Sequence, residues 1–306
     1  MSALPSLKQL HYLVALSTHL NFTRAAETCF VTQSTLSAGL KELEEILGVQ
    51  LVERDRQSVL MTAIGLEIAA RAREILAATQ DLVDRAAGVE APMCGALRFG
   101  IIPTIAPFLL PASLRLLRER YPRLRLTLRE DLTANLIERL EDGQLDVALI
   151  ALPFATGTLL VEPLFDDPLW IVGSAEEPLL QQNSPQSPPK TAFAMTAEST
   201  ERLLLLEEGH CLRDHTLQSC GKPARQSQGS IEATSLLTLI QMVESGLGLA
   251  LIPEMAVNSG LADSPGLLAR PLAQPGPSRT IALVARRSTS RLAELQALGE
   301  VIRAAR

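Results

Sequence analysis

Residues 21–48 read NFTRAAETCFVTQSTLSAGLKELEEILG, and this stretch predicts two short helices joined by a tight turn. Apolar residues recur at three- and four-residue intervals in both halves, which is the period of an amphipathic helix. Asn21 or Thr23 is available as the N-cap of the first helix, and Thr32 as that of the second. Gly48 is a typical helix end. A further amphipathic helix precedes this pair.

The start of the second helix carries short polar side chains on the face opposite its leucines. A helix pair of this kind predicts a helix-turn-helix, in which the start of the second helix enters the major groove and reads base edges. Residues 51–60 follow as a hairpin-like stretch whose arginines can contact phosphates. The alternative is an ordinary three-helix unit with a solvated polar face. The candidate DNA-contacting residues are Gln33, Ser34, Thr35, Ser37, Lys41, Arg54 and Arg56.

Composition sets limits on the remaining interpretations. The chain has 306 residues, 47% of them hydrophobic, which fits about two globular domains of roughly 100–200 residues each. Only 3% are aromatic, so base stacking on aromatic platforms is excluded as the main binding mode. The formal net charge is −6. Any DNA binding must therefore depend on a few residues at specific positions and not on the overall charge.

The rest of the chain predicts an α/β fold of two further parts. Residues 64–87 form an Ala-rich amphipathic helix, either a dimerising linker or a helix packed on its own domain. From Leu97 onward, strands and helices alternate in two subdomains that face each other across a cleft, as in periplasmic binding proteins. We therefore predict a DNA-binding domain over residues 1–62, a linker helix over residues 63–90, and an α/β regulatory domain over residues 91–306.

The lack of a recognisable targeting signal and the cysteine usage favour a cytoplasmic protein. No apolar stretch reaches the roughly 20 residues of a membrane-spanning helix, and the N-terminus lacks the pattern of a signal peptide. No membrane association, metal or cofactor is predicted. The four cysteines are expected to be reduced thiols in that compartment, with Cys29 buried and Cys94 incidental.

Cys211 and Cys220 carry the most specific chemistry. Cys211 lies between His210 and Arg213, at the expected start of a helix after Gly209, where positive charge and the helix dipole stabilise a thiolate. On one straight helix, the Cα atoms of the two cysteines would be roughly 13 Å apart. A disulfide needs about 7 Å or less, so forming one would require refolding. The alternative is two unrelated core cysteines.

The N-terminal stretch resembles the winged helix-turn-helix of LysR-type transcriptional regulators. The resemblance implies a regulator that is not an enzyme and that binds double-stranded DNA as a dimer, through Gln33, Ser34, Thr35, Ser37 and Arg54. The matching stretches are residues 21–26, 31–37, 43–54 and 62–65.

The segment Glu208–Asp214, together with Cys220, resembles the redox centre of the peroxide-sensing members of this family. By that resemblance, hydrogen peroxide oxidises Cys211, Cys220 resolves it as a disulfide, and a thiol reductant resets the pair. The family also implies a homo-oligomer, a dimer through the linker helix and a tetramer. The peroxide pocket would consist of Thr104, Thr133, His210, Asp214 and Arg286.

Two other functions compete with this hypothesis. The first is a LysR-type regulator whose cleft binds a small organic effector, with the cysteines incidental. The second is a thiol peroxidase or reductase that turns over with an electron donor. The two threonines of the pocket also have ordinary interpretations, because Thr133 is a suitable helix N-cap and Thr104 follows a proline in a turn.

Overall fold

The structure is a computed structural model that describes residues 4–54, 59–86, 92–181, 192–219, 232–274, 276–289 and 291–306. The chain divides into two compact units. The first comprises residues 1–90 with 141–144, and the second comprises residues 91–140 with 145–306. Among the described residues, no helix has both the length and the apolar character needed to cross a membrane.

The described part of the first unit contains four helices and one two-stranded antiparallel hairpin. The elements are α1 (Leu7–His19), α2 (Phe22–Thr28), α3 (Gln33–Leu47), β1 (Val52–Arg54), β2 (Val59–Met61) and α4 (Ala63–Ala86).

Side-chain caps fix where α2 and α3 begin. The Asn21 carboxamide oxygen accepts a hydrogen bond from the backbone N–H of Thr23 at 3.0 Å. Thr32 Oγ1 accepts one from the backbone N–H of Thr35 at 3.2 Å. Helix α3 ends where Gly48 adopts a left-handed φ of 69°. Both predicted helices are confirmed, and Asn21 is the N-cap of the first.

Leucines and alanines form the core of this unit. Leu13 of α1 and Leu36 and Leu40 of α3 are fully buried. Helix α4 contributes Ala69 and Ala72 to the same cluster. Small side chains on α4 let its backbone approach α1 closely, so the apolar core extends from the helix-turn-helix into the long helix.

The second unit contains the remaining elements. These are β3 (Gly95–Ile101), α5 (Ala106–Arg120), β4 (Leu124–Glu130), α6 (Thr133–Glu141), β5 (Val147–Leu152), β6 (Leu160–Ser174), α7 (Pro178–Gln181), α8 (Ala197–Glu201), β7 (Leu205–Leu206), α9 (Cys211–Ser219), β8 (Glu232–Ala233), α10 (Leu236–Glu244), β9 (Ala250–Pro253), α11 (Glu254–Asn258), β10 (Leu267–Pro271), β11 (Ser278–Ala285) and α12 (Leu292–Ala304).

Two apolar cores divide this unit into two lobes. The described strands of the main sheet run in the order β10, β6, β11, β5, β3, β4, and β9 also pairs with β6. In the first lobe, β3 is parallel to β4 and β5. Strand β6 joins the lobes, because its first part pairs with β11 and its second part pairs with β9 and β10. The expected two-subdomain α/β fold is confirmed.

The strand order brings three loops to one edge of the first lobe. Thr104 follows β3, and Thr133 starts α6 directly after β4. The start of β11 reaches the same edge, because Thr280 lies opposite Leu152 at the carboxyl end of β5. Polar residues at the carboxyl ends of parallel strands are the usual ligand-binding groups of such sheets.

Gly65 sits where α4 begins against the hairpin. Its backbone N–H donates to Thr62 Oγ1 at 3.0 Å, and the Thr62 hydroxyl donates to the carbonyl oxygen of Gln50 at 2.9 Å. A Cβ atom on Gly65 would lie 2.1 Å from the carbonyl oxygen of Leu51. No side chain fits without moving the backbone.

We therefore expect Gly65→Ala to lower the thermal stability of the first unit, although the same change at an open helix position stabilises by about 1 kcal/mol. Thermal unfolding followed by circular dichroism measures this effect. The matched control is Ala70→Gly on the exposed side of the same helix, which should cost about 1 kcal/mol. A Gly65→Ala protein as stable as the unmodified chain would contradict the close contact.

Candidate functional site

Cys211 is the first residue of α9 and is buried in the core of the first lobe, with 4% of its surface exposed. Gly209 precedes it with a φ of 99°, a left-handed conformation that favours glycine. This turn sets the thiol at the N-terminus of α9, where the helix dipole favours negative charge. Cys211 is a free thiol in this structure.

Arg279 supplies the positive charge beside this thiol. It is fully buried, and its Nε donates to the Asp167 carboxylate at 3.0 Å. Its Nη1 donates to Thr104 Oγ1 at 2.8 Å, and its Nη2 donates to the Thr104 carbonyl oxygen at 3.0 Å. Asp167 also accepts a bond from the backbone N–H of Met255 at 3.1 Å. The guanidinium is therefore held in one orientation by Asp167 and Thr104.

Opposing effects act on the protonation of Cys211. Burial is the largest and raises the pKa of its thiol. The Arg279 charge and the Thr133 hydroxyl lower the pKa, whereas the Asp214 carboxylate raises it. The net direction is upward, so the expected preference for a thiolate is not met in this conformation. Formation of the Cys211 thiolate therefore depends on the Arg279 charge and the Thr133 hydroxyl, which lower the pKa of the thiol.

Thr133 and Thr104 can offer hydrogen bonds beside the thiol. Thr133 Oγ1 is buried and has no hydrogen-bond partner within ordinary distance among the described residues. Thr104 Oγ1 accepts from Arg279, which leaves its own proton available for donation. Two hydroxyl donors and a buried cation suit a small polar molecule that accepts hydrogen bonds.

The histidines near Cys211 are both buried. Burial lowers the pKa of His210, partly offset by a hydrogen bond to the Thr234 backbone and by the charge of Glu207. Burial and the Arg279 charge lower the pKa of His215, partly offset by its hydrogen bond to the Pro153 carbonyl. Its Nε2 lies 3.2 Å from that carbonyl oxygen. Neutral rings therefore pack beside the thiol.

Asp214 lies one turn after Cys211 and is exposed. His215, interpreted from the sequence as an exposed helix residue without a role, is buried. Its position four residues after Cys211 puts the two side chains on one face of a helix. That spacing is the signal that could have identified it.

Two arginines expected near the thiol lie elsewhere. Arg286 follows the far end of β11, and its Nη1 donates to the carbonyl oxygens of Leu140 and Leu145, each at 2.6 Å. Seven residues of strand separate Arg286 from Arg279, a distance of roughly 23 Å. Assigning Arg286 to the pocket was therefore wrong, and Arg279 takes that place.

Arg213 does not face the thiol either. Its Nη1 donates to the Leu206 carbonyl oxygen at 2.8 Å and to the Glu232 carboxylate at 2.7 Å. It ties α9 to strands β7 and β8 of the second lobe. Cys220 lies outside the described residues.

The candidate DNA-contacting residues cluster at the start of α3. Gln33, Ser34 and Thr35 are exposed, and Ser37 is half-buried. The exposed Lys41 ammonium lies 3.8 Å from the Glu45 carboxylate, which partly offsets its charge. The side chain of Arg54 and the whole of Arg56 lie outside the described part of the chain.

Two protein-family models together match most of the chain. The model described as "Bacterial regulatory helix-turn-helix protein, lysR family" matches residues 7–66. The model described as "LysR substrate binding domain" matches residues 90–306.

Individual relatives also cover nearly the entire chain. The HTH-type transcriptional regulator EstR of Acinetobacter baylyi is 43% identical over 99% of this chain and 98% of its own length. The dual regulator OxyR of Escherichia coli is 36% identical over 98% of this chain and 95% of its own. A full-length OxyR variant from Pseudomonas aeruginosa has a TM-score of 0.75 at 35% identity, covering 98% of both chains. A hydrogen-peroxide-bound OxyR variant from Corynebacterium glutamicum has a TM-score of 0.61 at 32% identity, covering 99% of this chain and 94% of its own.

The charge balance around Cys211 yields a pair of opposite predictions. Asp214→Asn removes a carboxylate that raises the pKa of the thiol, so Cys211 should react with iodoacetamide about two- to fivefold faster at pH 7.5. Thr133→Val removes a hydroxyl that lowers the pKa, so the reaction should slow by a similar factor. Mass spectrometry of the Cys211 peptide measures both rates across pH 6–10.

Glu208→Gln is the matched control, because this exposed carboxylate is not among the groups that act on the thiol. Its rate profile should match that of the unmodified protein. If Asp214→Asn and Thr133→Val changed the reaction rate of Cys211 in the same direction, the charge balance described above would be contradicted.

Proposed function

This chain belongs to the LysR family of bacterial transcriptional regulators, and we propose that it senses hydrogen peroxide through reversible oxidation of Cys211. The observation that carries the proposal is the placement of this thiol at a helix N-terminus, beside the buried Arg279 guanidinium and the Thr133 hydroxyl. Members of this family are DNA-binding regulators and not enzymes.

The pocket suits a peroxide molecule in size and polarity. The hydroxyls of Thr104 and Thr133 donate hydrogen bonds to the peroxide oxygens. Arg279 stabilises the thiolate and the negative charge that develops on the leaving oxygen. His210 and Asp214 complete the pocket wall. Burial favours the neutral form of His210, and the Asp214 carboxylate raises the pKa of the thiol.

Oxidation proceeds in two balanced steps. The Cys211 thiolate attacks one peroxide oxygen, the O–O bond breaks, and the departing hydroxide takes up a proton to form water. Cys211 is now a sulfenic acid, oxidised by two electrons. The Cys220 thiolate then attacks its sulfur, and the displaced hydroxide leaves as a second water. A thiol reductant restores both thiols by exchange.

Helix α9 turns this bond into a conformational switch. Its residues Cys211 and Ser219 are separated by about 12 Å between Cα atoms at helical rise. A disulfide from Cys211 to Cys220, the next residue, needs Cα atoms within about 7 Å. Part of α9 must therefore unwind, and this also displaces Arg213, which anchors the helix to Leu206 and Glu232.

The first unit binds DNA as part of a homo-oligomer. Helix α4 exposes large apolar side chains at Ile75, Leu82 and Val83, as expected of a surface that a second copy covers. A dimer through α4 presents two copies of α3 to double-stranded DNA, and two dimers form a tetramer. In each copy, Gln33, Ser34, Thr35, Ser37 and Lys41 contact the major groove, while Arg54 and Arg56 of the wing contact phosphates.

A second candidate is a LysR-type regulator that responds to a small organic effector in the cleft between the lobes. The observation in its favour is the 43% identity to EstR, a regulator that carries a different name from the peroxide-responsive relatives. In that case Cys211 would be an ordinary core thiol.

Differential thiol labelling separates the two candidates. Reduced protein is treated with less than one equivalent of hydrogen peroxide, alkylated and digested. We expect a linked Cys211–Cys220 peptide that disappears on treatment with dithiothreitol, while Cys29 and Cys94 remain alkylated as internal controls. In Cys220→Ser, Cys211 should stop at the sulfenic acid and be captured by dimedone.

The matched control Cys94→Ser should form the linked peptide as the unmodified protein does. Unchanged thiol labelling of Cys211 after peroxide, or a disulfide that excludes it, would contradict the redox proposal and favour the effector-binding regulator.

A further inference from the structure

Arg270 is a buried cation that takes part in none of the hydrogen bonds or ion pairs described above. It lies on β10 with 4% of its surface exposed. Its Nε and Nη1 are buried and have no hydrogen-bond partner among the described residues. In the strand register it faces Ile171, and Leu272 flanks it in the same apolar core. Arg270 therefore lies on a strand that packs against the apolar core of the second lobe.

Each of the other buried arginines in the described part of the chain donates hydrogen bonds to an acceptor. Arg279 pairs with Asp167, and Arg213 pairs with Glu232. Arg286 donates to two backbone carbonyls. Within the part of the chain that the structure describes, Arg270 alone of the four has no such acceptor.

Within the described ranges, no carboxylate lies close enough to pair with Arg270. Among the described residues, none of the ion pairs includes Arg270, while Asp167, Glu232 and Glu177 are each paired with other arginines. The segments 182–191 and 220–231 of the same unit lie outside the description, and their sequences contain neither Asp nor Glu. An anion that pairs with Arg270 would therefore be a bound ligand.

An arginine side chain keeps its charge under all physiological conditions. An unpaired buried charge is strongly unfavourable, and an anion with matching geometry removes the penalty. The planar guanidinium holds a carboxylate or a phosphate through two parallel hydrogen bonds.

We propose that Arg270 forms a binding site for a small oxyanion in the second lobe, with the apolar side chains beside it favouring a carboxylate that carries a short alkyl group. The site is separate from the Cys211 pocket and shares none of its residues. It gives the regulatory unit a second ligand that does not depend on thiol chemistry, so the proposal stands whether or not the protein senses peroxide.

Thermal unfolding of the full chain in HEPES buffer without other anions tests the site, with sodium butyrate, sodium acetate and sodium phosphate as probes. We expect a saturable rise in Tm of about 5–10 °C once an anion reaches roughly 100 times its Kd. Butyrate acting at lower concentration than acetate and phosphate identifies the alkyl carboxylate. Phosphate acting first identifies an inorganic oxyanion as the ligand.

Arg270→Met is the decisive variant. Without any anion it should have a higher Tm than the unmodified protein, because it replaces an unpaired buried charge by an apolar side chain. It should also show no response to the three probes. The matched control Arg303→Met removes a partly exposed arginine that pairs with Glu162, and it should respond as the unmodified chain does.

Isothermal titration calorimetry with Arg270→Lys keeps the test open if Arg270→Met does not fold. Lysine retains the charge but lacks the planar fork, so the Kd should rise at least about tenfold. The proposal is overturned if the unmodified protein shows no saturable response to any probe. Equal responses to the probes in Arg270→Met and in the unmodified protein would overturn it as well.

Discussion

The buried ion pair between Arg279 and Asp167 is the interaction on which the sensing unit depends. Strand register places these two residues opposite each other on β11 and β6, and the guanidinium reaches on to Thr104. Removing one partner of such a pair typically costs about 3–5 kcal/mol, because the other charge stays buried. The same guanidinium stabilises negative charge on Cys211. The group that holds the first lobe together thus also controls the reactivity of the thiol.

This arrangement links the thiol to both lobes. Asp167 lies on β6, the strand that continues into the second lobe, and it accepts a bond from Met255 at the start of α11. Cys211 begins α9, which Arg213 fastens to β7 and β8. In the proposed mechanism, oxidation unwinds part of the helix that carries these contacts with the second lobe. Burial keeps the resting thiol protonated, so the proposed sensor depends on Arg279 and Thr133 to generate the reactive thiolate.

The sequence predicted those elements whose first and last residues are determined by capping residues close in sequence. Thr32 caps α3 and Gly48 ends it, as a capping hydroxyl and a terminal glycine indicate. Strand β6 escaped the sequence prediction, because Pro163 and Pro168 interrupt its alternating pattern and only pairing with β11 fixes it. The placement of Arg286 in the pocket failed for a related reason. Arg279 is the second residue of β11 and Arg286 follows its last residue, so only the long-range register of this strand shows which end meets the thiol.

The central claim is that oxidation of Cys211 changes how the protein holds DNA. DNase I footprinting tests it most directly, on a fragment that the reduced protein selects from a random pool. Peroxide should change the footprint of the unmodified protein, dithiothreitol should restore it, and Cys211→Ser should show one unchanging footprint. An unmodified protein that forms the Cys211–Cys220 disulfide and keeps its footprint would contradict the account.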